Sequence, residues 1–410
     1  MISKRFKITY FFSVFTLFFC LISCSAKNQT SIENHKAVAD AFAPPQEIVV
    51  GANNTQTYLP LLKGKTIGIV ANQTSVIFKK GGYTHLVDSL LSLKINIVKV
   101  FTPEHGFRGD VDAGETVSDE IDAKTSLPIV SLYGKNKKPT KEQLKGIDMV
   151  IFDIQDVGVR FYTYLSTLHY VMEACAENDI PLIVLDRPNP NGHYIDGPTL
   201  EMKYTSFLGM HPVPLVYGMT IGEYAQMING EQWLKNKVTC ALTNIPLKNY
   251  THQSEYHLPI KPSPNLPNDK AINLYPSLGF FEGTTINAGR GTEHQFQQYG
   301  APFFPKSDFS YTPQPNEGSK SPKHSGQLCY GVDLKNTERL SEVNIAWLRD
   351  AYLKTPKATA FFGETFTIHA GNTQLENQLK SGLTAKEIHD SWQPNITEFK
   401  KIRKKYLLYN

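Results

Sequence analysis

The segment FTPEHGFRGD, residues 101–110, gathers Glu104, His105 and Arg108 within five positions, directly after an apolar run. Pro103 and Gly106 stiffen and turn the backbone around them. A carboxyl on such a loop, set against the apolar wall of a strand end, has its pKa raised toward the working range of a general acid. The same placement suits a Glu that caps the next helix or pairs with Arg108, so two roles stand for Glu104. His105 suits a hydrogen-bonding loop position or a proton shuttle, and a lone His beside one Glu argues against a metal.

Three more stretches are as rich. DIQDVGVRFYTY places Asp153, Gln155, Asp156 and Arg160 ahead of Phe161, Tyr162 and Tyr164. Carboxylates and amides that span hydroxyl pairs, with aromatic rings under C–H faces, are how a protein binds sugars. The competing reading gives Asp153 to a turn and the aromatics to the core. LDRPNPNG sets Asp186, Arg187 and Asn189 among prolines, which pre-position polar groups but are also good turn chemistry. FEGTTINAGRGTEHQF carries Glu282, Asn287, Arg290 and Glu293 among glycines, without the spacing of a phosphate loop. GxGxxG, GxSxG and HExxH sequences do not occur, and the one GKT, Gly64-Lys65-Thr66, lacks the glycine five residues earlier that a phosphate loop needs, so neither a nucleotide cofactor nor a metal is expected. Carboxylate chemistry is what remains.

The elements that must carry these loops are legible as well. TIGIVA, INIVKVF, LPIVSLY, DMVIFDI and IPLIVLD are short Ile/Val-rich runs, separated in several places by amphipathic stretches such as THLVDSLLSL and YLSTLHYVMEACAEN. That alternation predicts an α/β fold: a Rossmann-like parallel sheet domain, buried on both faces, with ligands outside the carboxyl ends of its strands. The polar clusters at 103–109, 153–164 and 186–192 fall at such ends. After residue 246 the chain turns Pro-rich and irregular, then mixed, which predicts a second, smaller α/β domain. We place a catalytic domain at 47–265 and the smaller domain, closing the cleft, at 266–410.

A chain of 410 residues with 41% hydrophobic and 20% charged residues buries a sizeable core, and two domains suit its length. A net charge of +4 with scattered lysines gives no basic stripe, which argues against nucleic acid as a partner. Lys4, Arg5 and Lys7 precede the apolar run ITYFFSVFTLFFCLI, the pattern of an export signal over residues 1–24. LISC resembles a bacterial lipobox, which makes Cys24 the acylated residue and residues 25–46 a tether to a membrane; cleavage near Ala26 is the plainer alternative. No Asp-rich stretch follows Cys24, so the expected location is the periplasmic face of the outer membrane. Cys175, Cys240 and Cys329 are odd in number and read as buried small apolar residues.

The runs PEHGFRG, DIQDVGVRFYTYLST, LDRPNPNG, HPVPLVYGMTIGEYA, SPNLP, EGTTINAGRGTEHQFQQYGAP and YLLY together resemble the exo-β-N-acetylmuramidase (NamZ-type) family over residues 48–410. The resemblance implies a Rossmann-like domain with a smaller C-terminal domain, a site in the cleft between them, and release of N-acetylmuramic acid from non-reducing ends of peptidoglycan fragments during cell-wall turnover. It makes Glu104 the catalytic acid. Glu282, Glu293, Asp153 or Asp156 is then the second carboxylate, and Arg108, Arg160, Arg187 or Arg290 reads the lactyl carboxylate; each Arg can equally be a structural ion pair. His105, Gln155, Tyr162, Asp186, Asn189 and Asn287 are further candidate sugar contacts. Thr285 and Ala288 depart from the motif expected there. An eliminating lyase and a non-catalytic glycan-binding lipoprotein are the other functions this pattern admits.

Overall fold

The Ile/Val runs assemble into one sheet in the computed structural model, which describes residues 46–108 and 120–410. The expected export signal, Cys24 and nearly all of the tether lie outside those residues. In chain order the first strands are β1 (Thr66–Ala71), β2 (Val76–Lys79), β3 (Gly82–His85), β4 (Asn96–Thr102), β5 (Glu120–Ile121), β6 (Pro128–Ser131), β7 (Met149–Asp153), β8 (Leu182–Leu185) and β9 (Leu242–Ile245). Seven of them form a sheet in the order β5-β6-β4-β1-β7-β8-β9. All its pairings are parallel except that of β5 with β6. β2 and β3 make a separate hairpin.

The continuous apolar runs follow from burial on both faces. Ile151, Ile183 and Leu185 enter one core cluster while Val150, Phe152, Leu182 and Val184 enter the other, because successive side chains of a strand point to opposite faces. β9 was not legible as a strand: its sequence LTNI lies at the sheet edge and only Ile245 is buried, so no apolar run forms. Helices Leu86–Ser92 and Tyr164–Glu177 match the two amphipathic stretches.

Downstream, β10 (Gln298–Ala301), β11 (Ser310–Tyr311) and β12 (Cys329–Asp333) form a small antiparallel sheet. Helices Ile345–Lys354, Phe366–Ala370, Gln374–Lys380, Ala385–Asp390 and Gln393–Arg403 follow. This is the smaller second α/β part of the fold. It shares an apolar core with the large sheet: Val70 and Phe152 belong to the same cluster as Phe280, Leu348 and Phe399, and residues 48–410 form one compact unit. Cys175, Cys240 and Cys329 are buried free thiols, in keeping with their reading as small apolar residues.

The strand order β6-β4-β1-β7-β8-β9 reverses direction between β1 and β7, where a Rossmann-like sheet opens its crevice. Here that position is filled by protein. Asn72 donates to the Tyr164 hydroxyl at 3.0 Å, Ser75 donates to the Asp153 carbonyl, and Thr74 accepts from the Gln155 amide at 3.0 Å. The open space lies one step along, over β4, β6 and β7.

Candidate active site

Glu104 leaves β4 on a turn closed by the Gly106 amide donating to the Pro103 carbonyl at 3.2 Å. His105 and Gly106 both adopt left-handed backbone, at φ 74° and 79°. For a non-glycine residue this conformation is costly and is held by its surroundings. The turn delivers Glu104 to a cleft that it shares with Tyr133 after β6 and with Phe161, Tyr162 and Thr163 after β7. Thr163 donates to Glu104 Oε2 at 3.0 Å. The Tyr133 hydroxyl has its pKa raised by burial and then by the charge of Glu104, to which it hydrogen-bonds.

The far wall comes from later in the chain. Ser263, Asn265 and Leu266 of the SPNLP run line it, together with Tyr275, Glu282, Arg290, Phe296 and His369. Tyr162 and Tyr164 donate to the Pro262 carbonyl at 2.8 and 3.2 Å, which pins that loop to the sheet. Glu282 lies 3.1 Å from Arg290 Nε, a charge contact without hydrogen-bond alignment. Lys323 sits behind it and donates to the carbonyls of Phe281 (2.7 Å) and Glu282 (3.1 Å). Burial works to raise the pKa of Glu282, but Arg290 and Lys323 outweigh it and hold the carboxyl below the ordinary range. The cleft thus holds one carboxyl ringed by hydroxyls and one fixed as a carboxylate by cations.

Of the residues singled out in the sequence, Glu104, His105, Phe161, Tyr162, Glu282 and Arg290 meet in this cleft. The others do not line it. Arg108 pairs with Asp122 at 2.8 Å and Asp88 at 3.4 Å and lies over the Phe107 ring, so Glu104 is not its partner. Asp153 is fully buried and pairs bidentately with Arg187, at 2.6 and 2.9 Å. This removes Asp153 as second carboxylate and Arg187 as lactyl reader. Arg160 is buried with its guanidinium on four backbone carbonyls. Gln155 donates to the carbonyls of Asp156 and Pro188. Asn189 and Asn287 hold turns, and Glu293 is exposed. Thr285 donates to the Ala360 carbonyl and Ala288 is buried, so the two departures from the family motif lie outside the cleft lining.

Two aspartates are buried for structural ends. Asp186 accepts from Tyr409 (2.6 Å), Thr220 (2.7 Å) and the Gly222 amide (2.8 Å), tying the C-terminus to β8. Asp156 accepts from Tyr217 and the Gly158 amide, while its Oδ1 is buried without a partner. Burial raises both to about 6. Their folded form holds a proton that the unfolded chain releases, so their contribution to stability falls as pH rises from about 4 to about 6. Buried histidines act oppositely: burial lowers His85 to about 4 and puts His211 well below its usual value, so stability is lost as pH falls below about 6.5. Asp156→Asn keeps an acceptor for Tyr217 but removes one offset. We expect it to lose about 1 kcal/mol more stability than wild type between about pH 7.5 and about pH 5, measured by urea unfolding; a shallower loss would contradict the raised pKa.

Sequence reasoning passed over Tyr133, Thr163, Asn265, Tyr275, Lys323 and His369. Tyr133 had a signal, as the last residue of the apolar run LPIVSLY at a strand's carboxyl end. Thr163 lies inside DIQDVGVRFYTY and Asn265 inside SPNLP, so their neighbourhoods were marked though the residues were not. Tyr275, Lys323 and His369 had no signal, because the irregular C-terminal region offers no periodicity from which to orient a side chain.

Residues 67–270 match the family model described as exo-β-N-acetylmuramidase NamZ, N-terminal, and residues 273–409 match its C-terminal counterpart. A peptidoglycan β-N-acetylmuramidase NamZ of Bacillus subtilis is 40% identical over 374 residues, covering 86% of this chain and 89% of that one. The chain belongs to the NamZ exo-β-N-acetylmuramidase family. Two solved structures of DUF1343 family proteins from Bacteroides fragilis share the fold of this NamZ-family chain. One has a TM-score of 0.82 at 45% identity and covers 89% of this chain and 99% of its own; the other has 0.76 at 28%, covering 90% and 100%. The cleft is built from both family segments, with Glu104 through Leu266 from the N-terminal one and Tyr275 through His369 from the C-terminal one.

Proposed function

We propose that this chain is an exo-acting β-N-acetylmuramidase that releases N-acetylmuramic acid from non-reducing ends of peptidoglycan fragments in cell-wall turnover, with Glu104 as the general acid. The observation that carries the reading is the pair of carboxyls in one cleft with opposed surroundings: Glu104 among the hydroxyls of Thr163 and Tyr133, and Glu282 beside Arg290 and Lys323. Glycoside hydrolysis needs two carboxyls about one bond, and these two reach the same cleft from different parts of the chain. Glu104 protonates the leaving glycosidic oxygen, and Glu282 supplies negative charge as the anomeric carbon becomes oxocarbenium-like. Arg290 is the candidate for the lactyl carboxylate. It is the one member of the four sequence-selected arginines that lines the cleft.

We further propose export with a lipid anchor on Cys24, which places the cleft among cell-wall fragments. No helix among the described residues is long and apolar enough to cross a membrane. The test of function is product analysis with N-acetylmuramyl-N-acetylglucosamine. Hydrolysis yields free N-acetylmuramic acid and N-acetylglucosamine with uptake of one water. A muramyl product lighter by one water would identify a lyase, and unchanged disaccharide under conditions of saturable binding would identify a glycan-binding protein.

A further inference from the structure

His369 lies in the cleft wall with nine-tenths of its surface buried, and it comes from a part of the chain with no recognisable motif. Its Nδ1 is 2.9 Å from the Thr365 carbonyl. A carbonyl only accepts, so Nδ1 carries the ring proton and Nε2 of the neutral ring presents a lone pair. Nε2 has no hydrogen-bond partner among the described residues. The charged groups around the ring are Glu282, Lys323 and Arg160, and burial, the largest influence, lowers its pKa and keeps it neutral near pH 7.

The imidazole is held in place from across the fold. Arg160 donates through Nη2 to the carbonyls of His369 (3.2 Å) and Ala370 (2.8 Å), and through Nη1 to those of Pro198 (2.6 Å) and Val213 (3.0 Å). Gly371, at φ 81°, ends the short helix that carries His369, and a Cβ there would come within 2.6 Å of Nη2. A buried guanidinium with only carbonyl partners thus locks the turn bearing His369 against the N-terminal segment. Glu282, by contrast, is a carboxylate held in its charged form by cations and is therefore a weak base.

We propose that His369 is the base of the hydrolysis, taking a proton through Nε2 from the water that attacks the anomeric carbon, and that Arg160 is its positioning residue. This rests on the reading of the cleft as a muramidase site. One O–H bond of the water breaks and its proton moves to Nε2, while the water oxygen forms the new bond to the anomeric carbon. The bond from that carbon to the bridging oxygen breaks with its electron pair, and Glu104 gives that oxygen its proton. Both groups re-equilibrate with solvent after release. Glu282 stabilises the imidazolium and the oxocarbenium-like centre. A single displacement inverts the anomeric centre.

The experiment follows an aryl β-N-acetylmuramide by NMR with wild type, His369→Ala, His369→Gln and Arg160→Lys, each checked for folding by circular dichroism. Wild type is expected to give the α-anomer as first product. The His369 variants should lose at least about a hundredfold in kcat with KM little changed, and sodium azide, which needs no base, should restore turnover and give the α-glycosyl azide. Arg160→Lys should lose about tenfold in kcat by misplacing the ring, also relieved by azide. A β-anomer as first product, or undiminished kcat in the folded His369 variants, overturns the proposal. A dinitrophenyl leaving group, which needs no acid, should rescue Glu104→Gln but not His369→Ala. Full activity of Glu104→Gln on unactivated substrate would instead remove the acid assignment alone.

Discussion

Glu104→Gln is expected to cut kcat/KM on a muramyl disaccharide by about a hundredfold to ten-thousandfold, the range for loss of a positioned general acid. The glutamine is isosteric, and its amide oxygen can still accept from Thr163, which now donates to Oε2 at 3.0 Å. The shape of the turn, with His105 and Gly106 in left-handed backbone, does not depend on the charge of residue 104. Thermal unfolding of the variant should therefore match wild type while cleavage fails. The measurement is steady-state release of N-acetylglucosamine at saturating and subsaturating substrate, with the larger change in kcat because proton donation matters only in the transition state. Activity within a few-fold of wild type would end the assignment of Glu104 as acid.

Asp153→Ala should be among the most destabilising single changes in the chain, although it leaves the chemistry untouched. Asp153 and Arg187 are 0% and 2% exposed as side chains, and the guanidinium also donates to the Val76 carbonyl at 3.0 Å, so one buried pair joins β7, the loop after β8 and the β2–β3 hairpin. Removing the acid leaves an uncompensated buried cation, at a cost of about 3–5 kcal/mol. The midpoint of urea unfolding reads this directly. Asp153→Leu combined with Arg187→Met should recover most of the loss, because two apolar side chains of similar volume do not have to be taken out of water as charges. The folded fraction of Asp153→Ala should retain wild-type specific activity. A selective loss of kcat at unchanged stability would return Asp153 to the catalytic set.

By itself the sequence determined the sheet, the edge on which chemistry would sit, and the family. Strands buried on both faces must be continuously apolar, and ligand loops follow their carboxyl ends, so TIGIVA, INIVKVF and DMVIFDI announced β1, β4 and β7, and PEHG marked Glu104. Only the tertiary structure decided which of several chemically equal side chains would line the cleft. Asp153 follows Phe152 at the end of β7, and strand alternation turns it to the other face, toward Arg187, while Glu104 reaches the cleft from a left-handed turn that composition does not specify. Arginine types cannot be sorted by spacing either. Arg108 and Arg187 met carboxylates, Arg160 met carbonyls, and Arg290 stayed at the cleft beside Glu282. His369 had no local signal because its role comes from a carbonyl within its own turn and a guanidinium from a distant segment, and such long-range closure is written in packing, not in sequence periodicity.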